Sequence, residues 1–543
     1  MTSIRRRETL AWLMAGAALP LLGGCASGST RPAASTSRLD LLYYADTLDA
    51  RAPGLAVVPQ TRLGSATRTG QAPWLTGPDA RAAFPAHAGY APLLDAALGP
   101  VETGGYAVLG ALLERLRNDS GPHNCLTLEN GQCWNGSGLA YLTNGGAGVQ
   151  GSELLGAEVR VSSDERVLWP QQAMGLYRQW GRPVVGAGLK TPGVQSIARF
   201  ERAGVQIAVV GIADPYALDQ SATLSQWFDA LRPSLDEARK QADLVIALAD
   251  VGTGPGMWLA ERLEQVDLLL CARGQDLWPR QIDVRQASGR QVPLILAGNR
   301  ACGAFRIRCH STAQGWQFDS LFHPAFASTL DAQGLQAAAG LQATLTAQRV
   351  SHAGWLDQPL AKASEPLWRR DVRAGSWDRL IHQALADNYA DGGVLLPGLR
   401  YDVPLRQGQT ITREHLLCLT GSHPAAVREA PAGQLQRVLE NAAEQLFGNL
   451  SMLDNSQDLP RLLGQPWHVA YSPAGHRVSG LEPLQQVRTF TLGPMAEGEP
   501  LWQRLEAYLR NQPADWQLAE WSLPRMSFVQ GHPGWHPTHG KLA

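Results

Sequence analysis

Asn124–Thr143 reads NCLTLENGQCWNGSGLAYLT, and its reading decides the fold. Cys125 to Leu128 is a short buried strand, and Glu129 to Gly138 is a polar turn whose glycines let the backbone approach a neighbour closely. A strand that runs into a Gly-rich loop is where α/β proteins place their chemistry. The same pattern also fits a tight turn with no ligand. The flanking sequence has to separate the two.

From Leu39 onward, short apolar runs alternate with helical patterns, the mark of a layered α/β domain. Expected strands are Leu39 to Ala45, Cys125 to Leu128, Gln206 to Ile212, Leu244 to Leu248, Val266 to Cys271 and Pro293 to Ala297. Helical runs such as Tyr106 to Arg117 and Pro233 to Gln241 lie between them.

On these residues the chain resembles the 5'-nucleotidase-type metallophosphoesterases, and its WNGSG (Trp134–Gly138) is most similar to the WQGSG of the SoxB thiosulfohydrolases. The resemblance implies a four-layer, calcineurin-like α/β sandwich over residues 38–344, followed by a smaller 5'-nucleotidase C-terminal-like α/β domain over 377–537. It also implies a dinuclear manganese or zinc site, and here the sequence departs from the family. In LLYYADTLDA, Asp46 stands at the first aspartate ligand but Leu48 replaces a histidine. Gln132 takes the place of the loop aspartate. After LLGAEV, Ser162, Ser163, Asp164 and Glu165 occupy the GNHE-type motif, with Ser163 at its ligand position and only Glu165 matching. LVIALADVG puts Asp250 at a histidine, and LLLCARGQDLWP puts Arg273 and Gln275 at two more. The helix GGYAVLGALLERLR (Gly104–Arg117) resembles its family counterpart and fixes the alignment.

A dinuclear site needs imidazole and carboxylate donors around two cations roughly 4 Å apart. Loss of second-shell partners alone costs about 10 to 100-fold in metal affinity, so loss of nearly the whole ligand set predicts no metal cofactor. Without metal, Asp46 and Asp250 become buried carboxylates that need a partner, which Arg273 can supply to one of them. Two alternatives stand beside this reading: the charges face solvent, or Asp46, Gln132, Asp250 and Gln275 form an oxygen-only site for a cation such as calcium.

At 543 residues and 44% hydrophobic, the chain can bury a large core. A net charge of −1 gives no electrostatic footprint for nucleic acid. Arg5, Arg6 and Arg7 precede the apolar run Leu10 to Leu22, the layout of an export signal over residues 1–25. It ends in LLGGC, which resembles a lipobox with Cys25 as the lipidated residue; an ordinary secretory signal with an incidental cysteine is the alternative. The RRRETL start is only a partial twin-arginine signal. Either way the expected location is the periplasm, with a membrane anchor if Cys25 is lipidated, and residues 26–37 read as a flexible tether. The six remaining cysteines can pair in an oxidising compartment, but their connectivity is not readable. Cys302 and Cys309 cannot bridge across an extended strand, because seven residues span over ~20 Å.

Leu345 to Ser376 shows no clear period and holds Pro359 and Pro366, so a linker is expected over 345–376. Beyond it, LLPGLRYDVPLRQGQTITREHLLCLT (Leu395–Thr420) and LQRVLENAAEQLF (Leu435–Phe447) resemble the second domain of SoxB. In that family the domain closes over the metal site. Arg400 stands at an arginine expected to bind the sulfur oxyanion, and a guanidinium suits such an anion. Arg400 and Arg273 are the candidate anion or partner contacts. The resemblance implies a partner such as the SoxYZ sulfur carrier, or a small sulfur oxyanion. With no residue assigned a catalytic role, the expected function is non-catalytic binding. A hydrolase with a rearranged site is the alternative; His382, His415 and His423 lie in the second domain without ligand spacing.

Overall fold

Leu39–Ala45 is buried along its whole length and apolar but for Asp40, which pairs with Arg306 at 2.7 Å. Leu41 and Tyr43 enter one buried cluster while Leu42 and Tyr44 enter another, the period-2 alternation of a strand buried on both sides. The computed structural model describes residues 38–528, except 57, 59–62, 69, 76, 86–87, 216–222, 370–371, 387–392, 397, 399–400, 422–424, 449–457, 464, 473, 483–485, 493–497 and 521–522.

Among the described residues, twelve strands build the two large sheets of the first region: Leu39–Ala45 (β1), Cys125–Asn130 (β2), Val159–Val161 (β3), Val184–Val185 (β4), Ile197–Arg202 (β5), Val205–Ala213 (β6), Leu244–Asp250 (β7), Leu268–Ala272 (β8), Leu277–Arg285 (β9), Gln291–Ala297 (β10), Gly303–Thr312 (β11) and Gly315–Pro324 (β12). They form two six-stranded sheets, ordered β12-β11-β1-β2-β3-β4 and β9-β10-β8-β7-β6-β5. In the first, β1, β2, β3 and β4 run parallel out to one edge and the antiparallel β11 and β12 lie on the other side; in the second, β10, β8, β7 and β6 run parallel between the antiparallel edges β9 and β5.

The sheets face each other across a shared core to which Leu126, Leu128, Ile246, Leu248, Leu270 and Ile295 contribute. On the outer face of the first sheet lie helices Gly105–Ser120 and Ala332–Leu356, through Leu109, Leu112, Leu113 and Leu345. On the outer face of the second lie Leu224–Gln241 and Thr253–Ala260, through Leu231, Leu235 and Met257. Helix, sheet, sheet and helix make the four layers expected of this fold.

The six expected strands are present: Leu39–Ala45 has the expected bounds, Leu268–Ala272 begins two residues later than expected, and the other four are longer at one or both ends. The helix expected from Pro233 starts at Leu224, where Thr223 and Gln226 form a capping box. The linker expected over 345–376 is corrected. The helix Ala332–Leu356 runs through its first third, and Pro359–Lys362 is a strand paired with Thr410–Thr412. Alanine supplies that helix with propensity rather than an apolar stripe, so it shows little period.

The second region is α/β as well. Its four-stranded sheet runs Ala425–Pro431, Gln486–Leu492, Gly393–Leu396, Arg461–Leu463, with helices Ser376–Ala386, Arg413–Thr420, Leu435–Phe447 and Leu501–Arg510 around it. The two regions share their cores: Leu417 packs with the first region, while Leu63 and Ala66 pack with the second. Glu414 Oε1 also accepts a hydrogen bond from Gly138 N–H at 3.0 Å. The described residues accordingly form one compact unit. The six cysteines from Cys125 to Cys418 are buried free thiols; Cys25 lies outside the described residues.

Candidate functional site

Strand ends place the site. Asp46 follows β1, Gln132 follows β2, and Ser163 and Asp164 follow β3. Asp214 follows β6, Asp250 ends β7, and Arg273 and Gln275 follow β8. These are the carboxyl ends of parallel strands, where the backbone turns away from the sheets and side chains converge. The turns are sharp: Asp46, Leu48, Arg273 and Gln275 have φ of 45°, 52°, 71° and 55°. Non-glycine residues in the left-handed region persist only where the surroundings hold them. Gly131 has to be glycine, because at its φ of 71° a Cβ would lie 2.1 Å from Asp46 Oδ1.

Arg273 is the hub. Its Nη1 donates to Asp164 Oδ1 at 2.8 Å and to Asp250 Oδ2 at 3.1 Å, and its Nε lies 2.6 Å from Asp214 Oδ2. All four residues are buried. Ser163 Oγ donates to Asp250 Oδ2 at 2.6 Å. Asp46 is held by backbone, with Oδ1 accepting from Gln132 N–H at 3.0 Å and Oδ2 from Gln275 N–H at 3.1 Å. The two amide side chains join them, since Gln275 Nε2 donates to Gln132 Oε1 at 3.1 Å and Gln132 Nε2 donates to Asp164 Oδ2. From the second region, Tyr401 Oη accepts from Asn135 Nδ2 at 2.9 Å.

Burial alone would push the Arg273 guanidinium down, but the Asp164, Asp214 and Asp250 carboxylates outweigh it and hold it well above its ordinary value. Burial wins the opposite contest at Asp250, whose carboxyl stays raised although Arg273 pulls it down. A second buried ion group lies alongside. Arg160 bridges Glu129 at 2.9 Å and Glu165 at 3.1 Å, with its guanidinium 3.6 Å from the Trp134 ring centre. Burial would raise Glu165, but Arg160 and the Ser163 N–H keep it below the usual carboxylate range.

A dinuclear manganese or zinc site does not fit this arrangement. Leu48 is buried and offers no donor, the Gln132 and Gln275 amides bond to each other, and Arg273 sets a fixed cation among the carboxylates. Among the described residues, no group of three or more His, Cys, Asp or Glu side chains is arranged to hold a metal ion.

The sequence-derived positions Asp46, Gln132, Ser163, Asp250, Arg273 and Gln275 are brought together, and Leu48 sits against Gly136 beside them. Two expectations change. The charges do not face solvent, since Asp46, Asp250 and Arg273 are at most 4% exposed. Arg273 is also not an open anion contact, because its guanidinium is committed to three carboxylates that would repel an anion. Arg400 and His423 lie outside the described residues. His382 and His415 are driven down to about 4, in both by burial foremost. Sequence reading passed over Asp164, which it quoted in the GNHE-type motif without a role, and Asp214, Asn135 and Tyr401. Asp214 had a usable signal: it directly follows a strand, as Asp46 does.

The geometry defines a class by fold: a metallophosphoesterase-type sandwich joined to a 5'-nucleotidase C-terminal-type domain. The structure is similar to that of the sulfate thiohydrolase SoxB from Thermus thermophilus, with a TM-score of 0.75, 23% identity and coverage of 90% of this chain and 98% of that one. It is also similar to a 5'-nucleotidase precursor from the same organism, with a TM-score of 0.64, 16% identity and coverage of 87% and 96%. No protein-family model and no curated protein sequence matches the chain.

Proposed function

We propose that this chain is a non-hydrolysing protein on the SoxB fold, in which the Arg273 ion cluster stands where the family's metals would. It acts in sulfur oxidation by binding a sulfur-carrier protein of the SoxYZ kind, or a small sulfur oxyanion, at the face where the two regions meet. The observation that carries this reading is the Arg273 guanidinium among Asp164, Asp214 and Asp250. A hydrolytic centre of this fold needs a Lewis acid and an activated water, and a guanidinium fixed by three carboxylates supplies neither. Arg400, placed by resemblance at the oxyanion arginine, is the binding residue in this reading, and LLGGC ending at Cys25 supports export and anchoring at the periplasmic face of a membrane.

The test is turnover. The purified chain, incubated with thiosulfonate-type substrates and with nucleotides, releases neither sulfate nor phosphate above the protein-free rate. Release that scales with protein concentration refutes the proposal and supports a hydrolase with a rearranged site.

A further inference from the structure

We propose that His415 is an acid-operated latch between the two regions. Its neutral ring holds the helix Arg413–Thr420 against the WNGSG loop, and its protonation releases that helix.

The helix docks closely. Glu414 Oε1 accepts from Gly138 N–H at 3.0 Å, and Leu417 enters the first region's core. The fit leaves no room for a side chain at residue 138, where a Cβ would lie 2.4 Å from Glu414 Oε2 and 2.5 Å from Leu356 Cδ2. His415 closes the start of the helix, its Nδ1 accepting from Thr412 N–H at 3.1 Å. A ring nitrogen accepts only while it carries no proton, so this bond belongs to the neutral imidazole.

The charges around His415 oppose a cation there. Burial first, then Arg300 in the turn after β10 and Arg349 on the helix Ala332–Leu356, drive the ring down to about 4 against the pull of Asp357. Arg349 already holds Asp357 at 2.8 and 2.7 Å and lies 3.7 Å from Glu414 Oε2. Arg300 Nη1 has no hydrogen-bond partner among the described residues. A proton on His415 therefore adds a third cation beside carboxylates that are taken, and removes the acceptor for Thr412 N–H. The other charged groups on the elements packed against the helix are engaged elsewhere: Glu506 by Arg413 and Arg510, and Lys362 by Thr410. Tyr141 is pushed up by burial and stays neutral.

The sign follows. A ring held near 4 in the docked helix and near 6.5 once exposed takes up its proton on release, so release grows as pH falls below 6.5. Glu414 works the other way, because burial, with Asp49 adding to it, raises its carboxyl in the docked helix. Gln132 lies in the same strand-end loop and bonds Asp164, so release also loosens the face where the regions meet. Only that consequence rests on the binding role proposed above; the latch stands apart from metal, turnover or partner results.

Hydrogen exchange of the full chain, read by mass spectrometry at pH 7.5, 6 and 5 and corrected for intrinsic rates, tests it. In wild type the opening of segments 134–142 and 410–420 should rise roughly ten- to thirty-fold from pH 7.5 to 5, the linkage expected between about 4 and 6.5, while 39–45 and 125–130 stay protected. His415→Gln, which has no charge to gain, should lose the rise, and Glu414→Gln, which removes the opposing proton, should keep it. The proposal is overturned if the wild-type segments open equally at pH 7.5 and 5, if 39–45 opens with them, or if His415→Gln shows the same rise.

Discussion

Replacing Arg273 with methionine removes the cation that Asp164, Asp214 and Asp250 share and leaves their carboxylates buried together. Breaking a buried ion pair from one side costs about 3–5 kcal/mol. The unfolding entropy is about 2.1 cal/mol/K per residue, or about 1 kcal/mol/K for the roughly 500 residues of the compact unit, so Tm should fall by about 3–5 °C. The pH dependence has a definite sign. Asp250 is already raised above 3.8 by burial even with Arg273 pulling it down. Without Arg273 it rises further, so the folded state holds a proton that the unfolded state releases. The loss is therefore smallest near the ordinary aspartate range and grows as pH rises toward the new folded value. Tm of wild type, Arg273→Met and Arg273→Met/Asp250→Asn at pH 5, 6.5 and 8 tests this, with the double variant recovering part of the loss. A Tm for Arg273→Met that matches wild type at every pH would refute the reasoning.

Cys25→Ala should move the protein from the membrane fraction to the soluble periplasm, and an unchanged distribution removes the lipid anchor. His415, whose folded value is held near 4 by burial and then by Arg300, contributes stability present above 6.5 and lost as pH falls toward 4, up to roughly 3 kcal/mol. His415→Gln, which can keep the cap on Thr412 N–H, should flatten that acid limb of Tm against pH; an identical limb would show that another group causes it. Arg400→Ala should weaken calorimetric binding of a thiosulfonated carrier by about 1.5–3 kcal/mol, roughly ten- to hundred-fold, and unchanged affinity would place the partner elsewhere.

The layered fold was legible because its strands hold continuous apolar runs such as Leu41–Ala45 and Leu268–Ala272, which fit strands covered on both faces. The site was legible in part, through the loops that end those strands. Residue type alone showed that Leu48 cannot ligate and that Arg273 brings a charge. It did not show how many carboxylates that charge serves, since Asp164 and Asp214 reach it from turns about fifty residues apart. Backbone satisfaction of Asp46 by Gln132 and Gln275 was equally hidden, because main-chain direction at a left-handed turn leaves no mark in the side-chain pattern. The helix Ala332–Leu356 was misread as the start of a linker for want of an apolar stripe.

Elemental analysis of the protein, purified without chelator, tests the central claim most directly, read together with Tm after addition of manganese or zinc. The account predicts substoichiometric transition metal and no rise in Tm, because a ligand that binds only the native state must stabilise it. One or two equivalents of manganese or zinc, lost on chelation together with several degrees of Tm, would contradict it.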